Sequence, residues 1–281
     1  MNPKLSIVIV IYNMKREIER TLYSLSIDYQ HGIDKNDYEV LIIDNGSKER
    51  LTNDLLSKFE ANISYFYIKN AKSSPTAALN FGAQKAKGEI LGLMIDGARL
   101  LTPGILSKVN NIFFDDKQVT VSVLGWHLGP KLQKESVLDG YDQNYEDRLL
   151  QDINWQTNGY RLFEISTLAG SNQEGWYGPI AESNCFFVSK EKFNKLGGMN
   201  EKFVTPGGGI VNLDFYKRAT EDSNTKNYVL LKEGTFHQIH DKAVSSNIKI
   251  QKNNPYRDYL TEYKSIYGYE YAIPKVKYEY I

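Results

Sequence analysis

Runs of apolar residues alternate with amphipathic segments along the first hundred positions of the chain. The apolar runs are rich in β-branched residues and predict strands at 5–11, 38–43, 63–68 and 90–95. Between them, apolar residues recur at helical spacing, which predicts helices over 15–25 and around 51–59, and a third helix that opens at Ser74-Pro75 and ends near Gly88. This alternation is typical of an α/β fold with a mostly parallel sheet and helices on both faces.

The pattern continues past Pro103 with a predicted helix to about 114 and a predicted strand over 119–124. It weakens through an aromatic, loop-rich stretch that reaches Gly178, where loops are expected to shape a pocket. Helices are predicted again over 189–196 and 211–220. The glycine run at 206–209, which begins with Pro206, separates these two helices and suits a moving loop.

Charge and cysteine content narrow the classes of function. Lys plus Arg number 34 and Asp plus Glu also number 34, so the formal net charge is zero. A nucleic-acid partner needs a basic excess and is therefore not expected. Cys185 is the only cysteine, which excludes an intramolecular disulfide and favours a reducing, cytoplasmic setting. The first apolar run is too short to cross a membrane, so no transmembrane segment is predicted.

Polar side chains follow three of the predicted strands at the point where each strand ends. Tyr12 follows the first strand, Asp44 and Ser47 follow the second, and Asp96 follows the fourth. Ligands of an open parallel sheet bind at this edge, where an aromatic ring can stack on a base and a carboxylate can accept from its N–H. Helix capping by Asp44 and Ser47 is the alternative interpretation. No glycine-rich phosphate loop follows the first strand, which argues against a dinucleotide site.

Five segments, taken in order, resemble the inverting nucleotide-sugar glycosyltransferases of family 2, which have the GT-A fold. The segments are SIVIVIYN, VLIIDNGS, ALNFGAQKAKGEILGLMIDG, LGGMNEKF and NLDFYKRA. The resemblance implies that Tyr12 and Asp44 hold the nucleobase. It also implies that Asp96, at the first position of the DxD motif, contacts the ribose or a divalent cation, Mn²⁺ or Mg²⁺. Asn80, in the third segment, is included among the predicted nucleotide-binding residues.

Three positions depart from the family's motifs. Ala98 stands where the DxD motif has its second carboxylate, Asn212 stands where the presumed catalytic base is an aspartate, and Leu79 stands where an arginine is usual. An alanine methyl cannot ligate a cation, and an amide cannot take the acceptor hydroxyl's proton. These departures favour a second hypothesis, in which the chain is a catalytically degenerate GT-A domain that serves as a nucleotide- or glycan-binding subunit.

Other residues can replace the missing groups. His237 and His240 lie three positions apart, and neutral imidazole is a competent ligand for divalent metals, so these two residues and Asp96 are the predicted metal ligands. A histidine packed in the core beside a second one at the surface is the alternative interpretation. Asp214 and Glu182 are the candidate catalytic bases, because an inverting transfer needs a carboxylate near the acceptor oxygen.

Together these observations predict a GT-A domain over 1–225, with a nucleotide-binding half at 1–100 and an acceptor half at 101–225. A C-terminal extension, 226–281, carries the two histidines and a tyrosine-rich tail for which a protein partner is expected. The expected activity moves a sugar, with inversion, from a nucleotide-sugar donor to a hydroxyl of a surface glycan or glycolipid. The expected location is the cytoplasm or the inner face of the membrane. Arg99 and Lys72 are expected near the crevice, where either cation can offset diphosphate charge.

Overall fold

Ten strands form one sheet in the computed structural model, which describes residues 3–240 and 255–281. Along the sheet the order is β10-β9-β6-β8-β4-β1-β2-β3, with β5 paired to β9 and β7 paired to β6. The strands are β1 Leu5–Ile11, β2 Tyr38–Asp44, β3 Ile63–Tyr67, β4 Ile90–Met94, β5 Arg99–Leu101, β6 Val119–Leu128, β7 Ser166–Leu168, β8 Phe186–Ser189, β9 Lys226–His237 and β10 Tyr278–Tyr280.

Helices cover both faces of this sheet. In the described ranges they are α1 Lys15–Ser24, α2 Asn53–Leu56, α3 Thr76–Lys85, α4 Ile105–Asp115, α5 Gln133–Leu138, α6 Gln143–Ile153, α7 Lys190–Lys195, α8 Val211–Thr220 and α9 Pro255–Tyr267. Successive side chains of a strand point to opposite faces. Ile7 and Ile9 accordingly pack in one core cluster with α1 and α4, and Val8 and Val10 pack in the other with α3 and α8. The predicted α/β class is confirmed.

The directions of the strands bring several strand ends to one edge of the sheet. β1 pairs in parallel with β2 and with β4, and β6 pairs in parallel with β9. β8 runs antiparallel to both β4 and β6, so β4, β6 and β9 point the same way. The carboxyl ends of β1, β2, β4, β6 and β9 therefore lie along one edge, where ligands of open sheets bind.

Two predicted elements differ from those in the structure. The helix predicted around 51–59 is only the single turn α2, which the Thr52 side chain caps by accepting from the Leu55 N–H. The strand predicted over 119–124 extends to Leu128, because after an irregularity between Ser122 and Leu124 it pairs with the second half of β9. The alternation of apolar and polar residues breaks at Leu124-Gly125, so this pattern predicts a strand shorter than the one observed.

The tyrosine-rich tail packs on the body of the protein. Tyr263 is buried against Phe203 in the same cluster as α8, and β10 pairs in parallel with β9. The Glu262 carboxylate on α9 accepts hydrogen bonds from the backbone N–H groups of Val204 and Thr205, next to the 206–209 glycine run. An expected protein partner for the tail stays a prediction, as does the domain boundary at 225. Among the described residues, no helix is both long and apolar enough to cross a membrane.

Candidate functional site

The loops after β1 and β2 form the first part of the candidate site. Tyr12 leaves β1 with 40% of its surface exposed. Asp44, at the end of β2, is fully buried, and its carboxylate accepts from the Ser47 N–H and the Tyr65 hydroxyl, both at 2.7 Å. The structure therefore places an exposed aromatic ring and a carboxylate held by internal donors at the ends of two paired strands. Their predicted contact with a nucleobase stays a prediction.

Asn13 and Ser47 tie these two loops together. The Asn13 N–H donates to the Ser47 Oγ, and the Asn13 side-chain oxygen accepts from the Lys48 N–H, both at 2.8 Å. Asn13 has a φ of +54°, a conformation that asparagine tolerates better than most residues. Because Thr52 caps α2, the alternative that Asp44 and Ser47 cap this helix is wrong.

Asn80 connects α3 to the turn before α8. Its side-chain oxygen accepts from the Met199 N–H at 2.9 Å, and its amide donates to the Met199 carbonyl at 3.0 Å. The same amide also donates to the Glu201 carboxylate at 3.2 Å. Asn80 thus anchors this turn in the structure, and its predicted nucleotide contact stays a prediction.

Asp96 lies just beyond β4 against two histidines from the end of β9. Its Oδ2 is 2.7 Å from the His237 Nε2 and 3.7 Å from the His240 Nε2, while its Oδ1 accepts from the Ala98 N–H. Ligand atoms of the three residues lie within 4.8 Å of one another. The alternative of one core histidine and one surface histidine is therefore wrong, since both imidazoles are buried against the same carboxylate.

The electrostatics of this cluster keep the carboxylate ionised. Burial alone would raise the pKa of Asp96, but the two imidazoles outweigh burial and hold that pKa well below its usual range. Burial lowers the pKa of His237 to about 4, because the Asp96 carboxylate offsets only part of the desolvation. For His240 the same carboxylate outweighs desolvation and raises the pKa. At neutral pH the cluster therefore offers an anionic oxygen next to a neutral imidazole.

This donor set fits a divalent cation. Carboxylate oxygen with imidazole nitrogen is a mixed set suited to first-row ions such as Mn²⁺. The Nδ1 of His237 is buried and has no hydrogen-bond partner within the described ranges, so internal bonds do not use up this ring's capacity to bind a ligand. Asp96, His237 and His240 are the residues that would hold the ion.

Cross-strand register explains which other side chains join the cluster. His237 on β9 lies opposite Arg99 on β5 and opposite His127 on β6. The rings of His127 and His237 are 5.8 Å apart, and His127 accepts the Gln133 N–H on its Nδ1. Sequence reasoning missed His127, because the predicted strand stopped four residues before Leu128. Because the alternation of apolar and polar residues breaks at Leu124-Gly125, no local signal in the sequence pointed to His127.

A cavity of about 230 Å³ opens beside this row of side chains. Its lining comes from β5, β6 and the segment 169–184, and it consists of Arg99, Gly125, His127, Ala169, Gly170, Ser171, Asn172, Glu182 and Asn184. Glu182 accepts a hydrogen bond from the Asn212 amide at the start of α8. One of the two candidate bases therefore lies in this cavity, in contact with the residue that stands at the family's base position.

Comparison with known proteins now identifies the family. A family model described as Glycosyl transferase family 2 matches residues 6–197, more than half of the chain. The chain belongs to this family. No curated protein matches it significantly in sequence.

Solved glycosyltransferase structures share the fold of this family 2 member. TarS of S. aureus is 14% identical with a TM-score of 0.53, over 85% of this chain and 36% of TarS. TarS 1-349 in complex with UDP-GlcNAc is 13% identical with a TM-score of 0.53, over 93% of this chain and 66% of the other. GalNAc-T7 with UDP, GalNAc and Mn²⁺ is 14% identical with a TM-score of 0.55, over 83% and 43%. The chain thus spans about a third of the first TarS chain, and the predicted GT-A fold is confirmed.

Ala98, one of the departures of this chain from the motifs of family 2, lies at a buried position. Ala98 is fully buried in the core, its N–H donates to Asp96, and its carbonyl accepts from the Gln238 N–H. A carboxylate here would be enclosed by apolar side chains, at a high desolvation cost. A second cation ligand would therefore have to come from elsewhere, and His237 and His240 are the predicted replacements.

Asp214, the other candidate base of this family 2 protein, lies in a different environment. It is buried in α8, and its carboxylate is 2.9 Å from the Arg218 guanidinium. Arg218 in turn donates to the carbonyls of Leu196 and Gly198. Asp214 is not among the cavity-lining residues, and its predicted catalytic role stays a prediction.

Replacing Asp214 by alanine is expected to lower the free energy of unfolding by about 2–4 kcal/mol, because it removes the carboxylate that neutralises the Arg218 guanidinium. Urea unfolding with an unchanged slope measures this loss. The control is Glu221→Ala, which breaks the exposed pair with Lys217 on the same helix and is expected to cost under about 0.5 kcal/mol. Equal stability of the two variants would contradict the buried ion pair's role.

Proposed function

We propose that this family 2 protein is an inverting glycosyltransferase that moves a sugar from a nucleotide-sugar donor to a hydroxyl of a surface glycan or glycolipid, acting in the cytoplasm or at the inner face of the membrane. The observation that carries the proposal is the juxtaposition of the Asp96, His237 and His240 cluster with a cavity that contains Glu182. Such a transfer uses a cation to stabilise the departing diphosphate and a carboxylate base to take the proton of the acceptor hydroxyl.

The donor's nucleotide would occupy the edge formed by the loops after β1 and β2. Tyr12 presents an exposed ring for stacking on the base, and Asp44 supplies the hydrogen-bond acceptor of the same loops. Asn80 holds the neighbouring turn in place. Relatives of similar fold have been solved with UDP and UDP-GlcNAc, which supports a nucleotide-sugar ligand for this edge.

Glu182 is the proposed base. It accepts the proton of the acceptor hydroxyl as the new bond from that oxygen to the anomeric carbon forms and the bond from that carbon to the diphosphate oxygen breaks. Attack opposite the leaving group inverts the configuration. Asn212 donates a hydrogen bond to Glu182 and so orients it. A divalent ion held by Asp96, His237 and His240, when bound, would supply positive charge for the departing diphosphate.

A second candidate function rests on Ala98 and Asn212. Because both family positions lack their carboxylate, the chain could bind a nucleotide or glycan as a subunit of a larger assembly without turning over a donor. Under this alternative the nucleotide edge is retained and Glu182 takes no part in chemistry.

Calorimetric titration tests the proposal. We expect UDP or GDP to bind in the presence of Mn²⁺ and to bind more weakly with a chelator, and the matching nucleotide sugar to be consumed when acceptor glycans are added. Binding without turnover of any donor would favour the second candidate function. Absence of binding by every nucleotide, with and without Mn²⁺, would overturn the donor site altogether.

A further inference from the structure

Arg99 is a buried cation for which the described residues provide no carboxylate partner. Arg99 is 7% exposed, and its Nε–H has no hydrogen-bond partner in the part of the chain that the structure describes. Within the same described ranges no carboxylate forms an ion pair with it. Since a guanidinium is always charged and costly to bury alone, this position calls for an anion that the described residues do not supply.

The surroundings of Arg99 hold its guanidinium at the cavity. Arg99 pairs with His237 across β5 and β9, and its Nη1 lies over the backbone of Gly125, 3.6 Å from where a Cβ would be. The Asn172 amide lies at the same distance, 3.6 Å, from that position. Because Gly125 has no side chain, the Arg99 guanidinium and the Asn172 amide can both approach this wall of the cavity.

The acidic groups nearby are already engaged. Asp96 is bound by His237 and by the Ala98 N–H, and Glu182 is bound by the Asn212 amide. Neither carboxylate forms an ion pair with Arg99 in the regions described. Among the groups of residues 3–240 and 255–281, none pairs with the Arg99 guanidinium, so this cation at the cavity is available to an incoming group.

The cavity and the cation cluster are formed by different residues, so they can bind different parts of a ligand. Asp96, His237 and His240 do not line it, whereas Glu182, the proposed base, does. Its volume of about 230 Å³ corresponds to about eight water molecules at ~30 Å³ each, which suits a single sugar ring. Under the proposed function, the diphosphate is therefore expected at the cluster and the transferred sugar in the cavity.

We propose that the transferred sugar carries a carboxylate, as in a hexuronic acid, and that Arg99 binds this carboxylate in the cavity. The planar guanidinium presents parallel N–H donors that match the two oxygens of a carboxylate. The inference rests on the proposed function, since it assigns the donor sugar of that same site. The shared chemistry is an anionic oxygen group, which a donor phosphate could also supply, so the experiment separates the two sources.

The test compares nucleotide ligands by calorimetry with Mn²⁺ present. The probes are UDP, UDP-glucose and UDP-glucuronic acid, followed by the corresponding GDP, GDP-mannose and GDP-mannuronic acid. We expect one acidic nucleotide sugar to bind at least ~10-fold tighter than its neutral counterpart, as a charge-assisted bidentate contact should give. Arg99→Gln should abolish this preference while leaving the affinity for the free nucleotide within about twofold.

A matched variant and a fold check complete the design. Arg148→Gln makes the same change at an exposed arginine that stacks on Tyr145, and it should keep the preference for the acidic sugar. If Arg99→Gln fails to fold in a thermal melt, the ratio of acidic to neutral affinity in the unaltered protein still decides the matter.

Three outcomes would overturn the inference, each for a different reason. Equal affinity for acidic and neutral sugars excludes a carboxylate site. A loss of affinity for the free nucleotide in Arg99→Gln, with no sugar preference, assigns Arg99 to the diphosphate. No binding of any nucleotide by the unaltered protein defeats the proposed function itself, a result distinct from the other two.

Discussion

Replacing His237 by alanine is expected to weaken Mn²⁺ binding by at least ~100-fold, since residues that only orient a metal ligand already contribute ~10–100-fold. The reason is geometric: the His237 Nε2 lies 2.7 Å from the Asp96 carboxylate, so its removal takes one donor from the cluster and leaves two. Titration of Mn²⁺ followed by electron paramagnetic resonance measures this directly, without any need for turnover.

His31→Ala is the matched control, because His31 is exposed and far from the cluster in the sequence. It should leave Mn²⁺ affinity unchanged. Asp96→Asn provides a second variant of similar size that removes the cluster's negative charge, and it should weaken Mn²⁺ by a comparable factor. If Mn²⁺ binds the His237→Ala and Asp96→Asn proteins as it binds the unaltered protein, this cluster is not the cation site.

Replacing Glu182 by glutamine is expected to slow sugar transfer by ~10²–10⁴-fold, the range found when a general base is removed. Glutamine keeps the size of the side chain and can still accept from the Asn212 amide, but it cannot take the acceptor's proton. Nucleotide affinity should therefore change by less than about twofold. The measurement is the rate constant for transfer at saturating donor, with nucleotide affinity determined separately.

Glu174→Gln serves as the control for that experiment, since Glu174 is exposed in the same loop region and does not line the cavity. It should transfer sugar at the unaltered rate. Full activity of Glu182→Gln would show that another group takes the proton. Measurement of Asp214→Asn under conditions where it stays folded would then test the other predicted base.

Much of the fold was predictable because the strand signal is strong in buried parallel strands. All seven residues of β1 are buried, so the apolar run and the strand coincide to the residue. Short elements carry weaker signals: four residues of α2 depend on one cap at Thr52, and periodicity over so few residues cannot fix their ends.

The candidate site was only partly predictable for a different reason. Asp96, His237 and His240 were predicted to bind one metal ion because carboxylate and imidazole are common metal ligands. The structure places the three side chains close together. Which of Glu182 and Asp214 faces the cavity depends on the path of a loop and the rotation of α8, and neither is encoded in local periodicity. The position of His127 similarly follows from the pairing of β6 with β9, which is a tertiary property.

The cation cluster joins segments that lie far apart along the chain, and this has a consequence for folding kinetics. Asp96 and His237 are 141 positions apart, and β9 is held in the sheet by its pairing with β6, where Val119 lies opposite Lys226. The pairs among β1, β2, β3 and β4 close shorter loops, and loop closure costs less entropy when the loop is short. Contacts so distant in sequence belong to the slow end of folding. The rate at which Mn²⁺ binding returns during refolding would therefore report the docking of β9, and not the earlier collapse of the first hundred residues.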